Sequence, residues 1–421
     1  MRHAIILLLT GCLVAGAAPA LAQVGGLGAW QNPDIGLVYD LKFDLHDAET
    51  DADGQRTWTT RGFELSTAEL SVGAEADPYG RIDFNAMFFE EGAEIHELFF
   101  TMPHLPGGLK AKGGQFLGSF GRWSRFHAHA LPFVSEPRLL HEYLGGHFMP
   151  QGLELSWLVP TGHYVEVYGG VYDAISAHSH DSDPASSGDG WGPDNPPPGC
   201  HYHGDELHCP DDPEAEAAYR ALLDDPDAPV APSGNREPSG LAWLGRVQTS
   251  VEAGLDWSLD VGASILHQDA YRTSQRFPGN DYAKTVAGFD LAVFWNPPER
   301  NLYSGLDFGV EYLRNQEQFE VLDEENWVRR EQSRDGYFTW FRYRLNRTWE
   351  FGATRETFAA RQGADDDRTR SAGFLTYNIS HYQRLRLEYV RDDRGAFADD
   401  VNHLVLQFDG TIGFHTHGRQ R

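Results

Sequence analysis

Eleven consecutive residues, Gly199-Cys-His-Tyr-His-Gly-Asp-Glu-Leu-His-Cys209, hold three histidines, two acids and two cysteines. His201, His203 and His208, with Asp205 and Glu206, offer borderline ligands suited to Zn²⁺, Cu²⁺ or Ni²⁺, and His178 and His180 lie just upstream. In an exported chain, Cys200 and Cys209 favour a disulfide over two metal-binding thiols. Closing so small a ring stabilises by roughly 2–3 kcal/mol and would hold the three imidazoles together. The alternative is a polar, acidic surface loop whose histidines stay solvated. A second set, Arg122, Arg125, His127, His129, His141 and His147, falls between residues 117 and 151. Arginine there would contact phosphate or carboxylate, and histidine would bind metal or sense pH. If extended, His127-Ala-His129 places both rings on one face.

The charge balance narrows the chemistry. The formal net charge is −28, with 34 Lys and Arg against 62 Asp and Glu. That is strongly unfavourable for nucleic acid, whose phosphates need Lys and Arg, so none is expected as a partner; such a surface attracts cations at a distance instead. No Gly-x-Ser-x-Gly occurs, and His141-Glu-Tyr-Leu-Gly-Gly-His147 lacks the i, i+4 spacing of a zinc-protease helix. Enzymatic activity is therefore not expected.

The elements that position these residues are strands. Residues 1–22 read as a secretory signal: Arg2 and His3, an apolar run from Ala4 to Leu9, and the small-x-small site Ala20-Leu-Ala22. Leu9-Thr-Gly-Cys12 also fits a lipoprotein box, although its apolar run is short. Beyond Gln23 no apolar run approaches the roughly 18 residues of a membrane helix. Apolar and polar residues instead alternate, as in Leu385, Leu387 and Tyr389 against Arg384, Arg386 and Glu388. Period two with one oily face marks a sheet half in lipid.

Counting such segments from Ile35 to Phe408 gives an all-β transmembrane antiparallel β-barrel of about 16 strands over residues 23–421. A phase slip near Ser66-Thr67 suggests a bulge. Turns after even strands are short and connections after odd strands mostly long, the outer-membrane arrangement with both termini in the periplasm. Two insertions break the rhythm: 117–151 after strand 5, a possible constriction loop with helical character at Leu139–Leu144, and 175–240 after strand 7, an extracellular His/Asp-rich loop with a short helix expected over 213–223. Lumen-facing acids, including Asp290, Asp307 and Glu311, and the arginines Arg342, Arg344, Arg384 and Arg386 would face each other across water or pair along the wall.

Asn32-Pro-Asp-Ile35, Gly114-Gln-Phe-Leu117, the His127/His129 segment, and Leu144-Gly-Gly146 followed by Gly152-Leu-Glu-Leu-Ser-Trp157 carry a resemblance. Over most of residues 30–175 the chain resembles a family of Gram-negative outer-membrane barrels described as zinc-regulated or TonB-linked receptors, near the phosphate-selective porin type. The resemblance implies divalent metal at His-rich external loops, here His178, His180, His201, His203 and His208. The chain departs from it in ending Phe414-His-Thr-His-Gly-Arg-Gln-Arg421 rather than on an aromatic residue. A 22-strand receptor with its plug would also not fit this length, so energy-coupled uptake is not expected.

The expected function is a porin-like outer-membrane channel taking up divalent metal, zinc first, with no cofactor required. The alternatives are an anion- (phosphate-) selective porin and a surface metal-binding or adhesive protein without an open pore. Membrane lipid and lipopolysaccharide would surround the barrel, and a homotrimer of the porin kind is a compatible assembly.

Overall fold

A computed structural model describes residues 33–50, 56–60, 62–89, 92–144, 147–175, 237–274, 280–299, 303–323, 326–359, 367–393 and 400–413, with the backbone of 201–203 and 206–208. The expected signal peptide, the helix expected over 213–223, and His178, His180, Cys200, Asp205 and Cys209 lie outside them.

Sixteen strands form the wall: β1 (Asp34–Thr50), β2 (Phe63–Asp77), β3 (Gly80–Phe89), β4 (Gly92–Leu105), β5 (Leu109–Gln115), β6 (Gln151–Leu158), β7 (Tyr164–Tyr172), β8 (Ala242–Ala253), β9 (Trp257–Thr273), β10 (Asp281–Trp295), β11 (Gly305–Asp323), β12 (Asn326–Arg344), β13 (Trp349–Ala359), β14 (Asp367–Asn378), β15 (Gln383–Asp393) and β16 (Val401–Gly413). Each pairs antiparallel with its sequence neighbour, and a short piece, Arg56–Thr59, lies against the end of β1. β16 returns to β1 in register from Gly36↔Gly413 to His46↔His403, so the sheet is closed. The sixteen-strand barrel read from alternation is the observed fold.

The pattern of burial is inside out. Along β15 the charged Arg384, Arg386 and Glu388 are buried, whereas Leu385, Leu387 and Tyr389 are exposed. Around the outside, Leu153, Leu155, Phe289, Phe308, Phe341 and Leu375 likewise face outward, as a lipid-facing band requires. Trp257 and Trp295, and Trp349 and Tyr377, pair at one end of their strands with ring centroids 6.4 and 4.8 Å apart. These amphipathic rings suit the headgroup level.

Among the register shifts of the described strands, two bear on the lumen. Asp40 pairs with Thr67 and Leu41 with Leu65, which leaves Ser66 as the extra residue, where the phase slip fell. On β4, Asn85 pairs with Glu97 and Ala86 with Ile95, which leaves His96 extra. His96 and Glu97 are consequently both buried.

β5 and β6 have only seven and eight residues, fewer than the roughly 9–11 that cross a bilayer. Their upper ends meet at Gln115↔Gln151, so the segment between them leaves and re-enters the wall at one low point. It contains α1 (Arg138–Leu144), the expected helical stretch. β11 and β12, of nineteen residues each, stand much taller.

Candidate luminal metal site

The 116–150 segment makes contact with strands all round the barrel, and this places it inside the lumen. It has no ladder to satisfy its backbone, and buried N–H and C=O groups need partners. The wall supplies them by sign. Carboxylates accept from the loop: Glu154 from the Ser119 N–H (3.0 Å), Glu311 from Arg122 and Trp123 (2.8 and 3.4 Å), Glu388 from Val134 and Ser135 (3.2 and 3.4 Å), and Glu356 from Arg138 and Leu139 (3.2 and 3.0 Å). Arginines donate to its carbonyls: Arg384 to His129 (2.6 Å), and Arg386 to Leu131 and Phe133 (3.0 and 2.7 Å). Apolar packing adds to this. Phe120, Trp123, Phe133 and Tyr143 of the loop join Phe338, Trp340 and Phe358 of the wall in one buried cluster. Gly121 has φ +57°, and a Cβ there would lie 2.0 Å from the Glu311 carboxylate, so only glycine lets this acid reach the following amides.

Where the loop passes β2 and β4 it assembles histidines with carboxylates. His127 Nε2 is 3.0 Å from Glu97 Oε2, and its ring stacks on His129 with centroids 5.3 Å apart and 7° between planes. His96 lies 4.5 Å from His127 and 6.3 Å from His147, centroid to centroid, and His147 lies 5.1 Å from His141. His141 Nε2 and His147 Nε2 approach Glu136 to 2.6 and 3.5 Å. Two groups emerge whose ligand atoms all lie within 4.8 Å of one another: Glu69, His96 and His127, all buried, and Glu136, His141 and His147. Each offers two imidazoles and a carboxylate, a zinc-compatible set that leaves a coordination position open.

The electrostatics of the loop groups are coupled. Burial opposes a charge on His127, but the Glu69 and Glu97 carboxylates outweigh it and raise its pKa above the ordinary imidazole value. Burial likewise opposes a charge on His141, and Glu136 again reverses the sign. Burial would raise Glu136, but His147 and His141 hold it well below the usual carboxylate range. Arg125 is lowered by burial and by Arg246.

The other residues expected at a pore wall are placed as follows. Asp307 pairs with Arg342 at 2.7 Å, Arg384 and Arg386 with Asp409 at 2.8 and 3.2 Å, and Asp290 with Arg246 at 2.7 Å. The first two partnerships join register neighbours, Asp307↔Arg342 and Arg384↔Asp409. Short reach along the wall therefore replaces opposition across water at these sites. Arg344 reaches Asn296 Oδ1 at 3.1 Å. Arg122 contacts Asp260 at 3.3 Å, with its guanidinium 5.0 Å from the Phe294 centroid, and Arg125 contacts Gln248 at 3.5 Å.

Between β7 and β8, the backbone of His201–His203 pairs antiparallel with that of Glu206–His208, placing His201 opposite His208; the side chains of this hairpin lie outside the described residues. Sequence reasoning missed His96 and Glu97 as partners of His127, and Glu136 as the partner of His141 and His147; the β4 bulge is the reason for the first two. Strict alternation sends one member of an adjacent pair outward.

No family model matches the sequence. An uncharacterised protein of Aquifex aeolicus (strain VF5) is 22% identical, the alignment covering 91% of this chain and 79% of that protein. Three solved structures share the fold at 10% identity. They are the outer membrane channel DcaP of Acinetobacter baumannii (TM-score 0.55, 92% and 100% of the two chains), OprB of Pseudomonas putida (0.52, 90% and 94%), and an anion-selective porin from Comamonas acidovorans (0.51, 90% and 99%). The chain thus has the fold of porin-like outer-membrane β-barrels. These likenesses carry the fold alone, and the resemblance to zinc-regulated receptors rests on the sequence motifs.

Proposed function

We propose that this barrel is a channel for divalent transition-metal cations, with zinc as the favoured cargo, and that the luminal loop forms its selective constriction. The carrying observation is the buried group Glu69, His96 and His127, which joins the barrel wall to the loop within one ligand sphere. The second group, Glu136, His141 and His147, adjoins it through the His96–His147 contact. The net charge of −28 supports the same reading, because it concentrates cations at the outer surface. Imidazole and carboxylate hold zinc without thiolate, which suits a cation that must also leave.

The test is planar-bilayer recording of the full chain in potassium salt. Discrete current steps are expected, with zinc blocking them as it dwells in the lumen. In a His96→Ala/His127→Ala variant the half-blocking zinc concentration should rise at least about tenfold, the scale on which metal sites respond to lost partners. No current steps at all would sink the channel reading and leave a metal-binding or adhesive surface protein. An anion-selective channel is the second reading, favoured by Arg125, whose buried guanidinium meets Gln248 at 3.5 Å and lies over the Phe126 ring with no carboxylate paired to it among the described residues. Reversal potentials in a salt gradient separate the two by sign.

A further inference from the structure

A third group of metal-ligating side chains lies outside the loop and uses none of its residues. Asp44 and His46 stand two apart on β1 and His403 on β16, so the group straddles the seam where the sheet closes. His46 and His403 are register partners with ring centroids 5.9 Å apart. Asp44 Oδ2 lies 3.1 Å from His403 Nδ1 and 3.9 Å from His46 Nδ1. One ligand atom from each residue lies within 4.8 Å of the other two. Alternation puts Asp44 and His46 on the same luminal face as the buried Asp40, and His403 on that of Gln407 and Asp409.

The surrounding charges leave this group available. Lys42, on the same face, is 3.7 Å from Asp40, and Arg56 is 3.8 Å from Asp47. Asp47 also accepts hydrogen bonds from the Asn402 backbone and side-chain amides at 2.6 and 2.8 Å. The nearby cations are thus drawn to other carboxylates, and Asp44 faces the two imidazoles. The imidazole side chains are each 21% exposed and that of Asp44 is 42%, so a hydrated ion reaches them. His46 is eight residues along β1 from Val38, the register partner of Glu69. That is roughly 26 Å at the rise of a strand, so this group is separate from the buried luminal one.

We propose that Asp44, His46 and His403 form an independent divalent transition-metal site, of the zinc class, that clasps the first strand to the last near the outer mouth. A carboxylate and two imidazoles provide three ligands and an open position. An ion held by both β1 and β16 binds the closed barrel in preference to the open one and so stabilises closure. This role stands apart from conduction.

The test is histidine labelling of the folded full chain with diethylpyrocarbonate, read residue by residue by mass spectrometry, with and without zinc. Zinc should abolish labelling of His46 and His403 together in the wild type and equally in the His96→Ala/His127→Ala variant. Labelling should return in Asp44→Asn. Zinc should also raise the temperature at which the barrel unfolds in detergent, and that rise should disappear in His403→Gln. Labelling unchanged by zinc, or still abolished in Asp44→Asn, would overturn the site. Protection at the seam without zinc block of the current would refute the metal-channel reading and uphold the clasp; block without protection would do the reverse.

Discussion

The loop side chains are held by pairings whose strength changes with pH. His127 has its pKa raised by Glu69 and Glu97 against the opposing effect of burial. In metal-free protein the stabilisation from its charged form is therefore fully present below the ordinary imidazole value of about 6.5 and is lost as pH rises through the higher folded value. Amide hydrogen exchange across residues 116–130, measured in chelator and corrected for intrinsic base catalysis, should quicken over that rise; flat protection would contradict the pairing. Glu136, lowered by His147 and His141, acts oppositely, losing its contribution only as pH falls below the usual carboxylate range. Gly121→Ala should cost on the order of 1–2 kcal/mol from the left-handed backbone alone, and more from the Cβ driven into Glu311. Thermal unfolding would register it as a lowered midpoint. At this scale the sequence showed that the histidines were present and that His127 and His129 would share a face if extended; their stacking is a finding of the structure. Their partners were hidden because Glu97 and Glu136 look like any other acid until the bulge and the loop path are known.

At the scale of elements, the loop between β5 and β6 is the feature that turns an open wall into a constriction. Its anchors are single carboxylates on separate strands, Glu154 on β6, Glu311 on β11, Glu356 on β13 and Glu388 on β15. Removing Glu311, Glu356 or Glu388 leaves two loop amides without an acceptor, at about 1–3 kcal/mol each. Glu388→Ala should therefore loosen the 131–136 stretch, seen as larger and noisier single-channel currents. An unchanged conductance trace would argue that apolar packing alone holds the loop. The insertion itself was legible as a break in alternation, and so was α1. Its inward course was not, because the acceptors lie some 35 to 254 residues away in sequence and share their alternation pattern with every other luminal acid. Deleting His96 tests the bulge directly. The β3–β4 register would become regular at Asn85, Glu97 and Ile95, so the barrel should still assemble while zinc block of the current is lost. Failure to assemble would show that the bulge is structural rather than a device for aiming an imidazole.

For the whole molecule, closure is a property of the ladder and does not involve the loop: every wall strand pairs with its neighbours and β1 pairs with β16. A chain in which residues 120–147 are replaced by a short Gly/Ser link should therefore still migrate as a heat-modifiable barrel. Its conductance should increase, since the packed aromatics of the lumen are gone. Strand count, closure and the sorting of short turns from long connections were all legible, because each strand must present an apolar face to lipid and that demand repeats sixteen times. The partnering of luminal charges was less so. Arg342 with Asp307 and Arg384 with Asp409 depend on register, and alternation alone does not specify which inward residues become neighbours.

The extra residue in β4 has a genetic corollary. Deletion of a single codon there removes an imidazole and restores an ordinary strand, and insertion of one does the reverse, without altering any turn or any other pairing. On the proposed metal-channel reading, cargo preference is then a trait that lineages can acquire or discard in one mutational event while the barrel itself persists. Aligned by strand rather than by residue, relatives should differ by a one-position gap at this point between those that handle metal and those that do not.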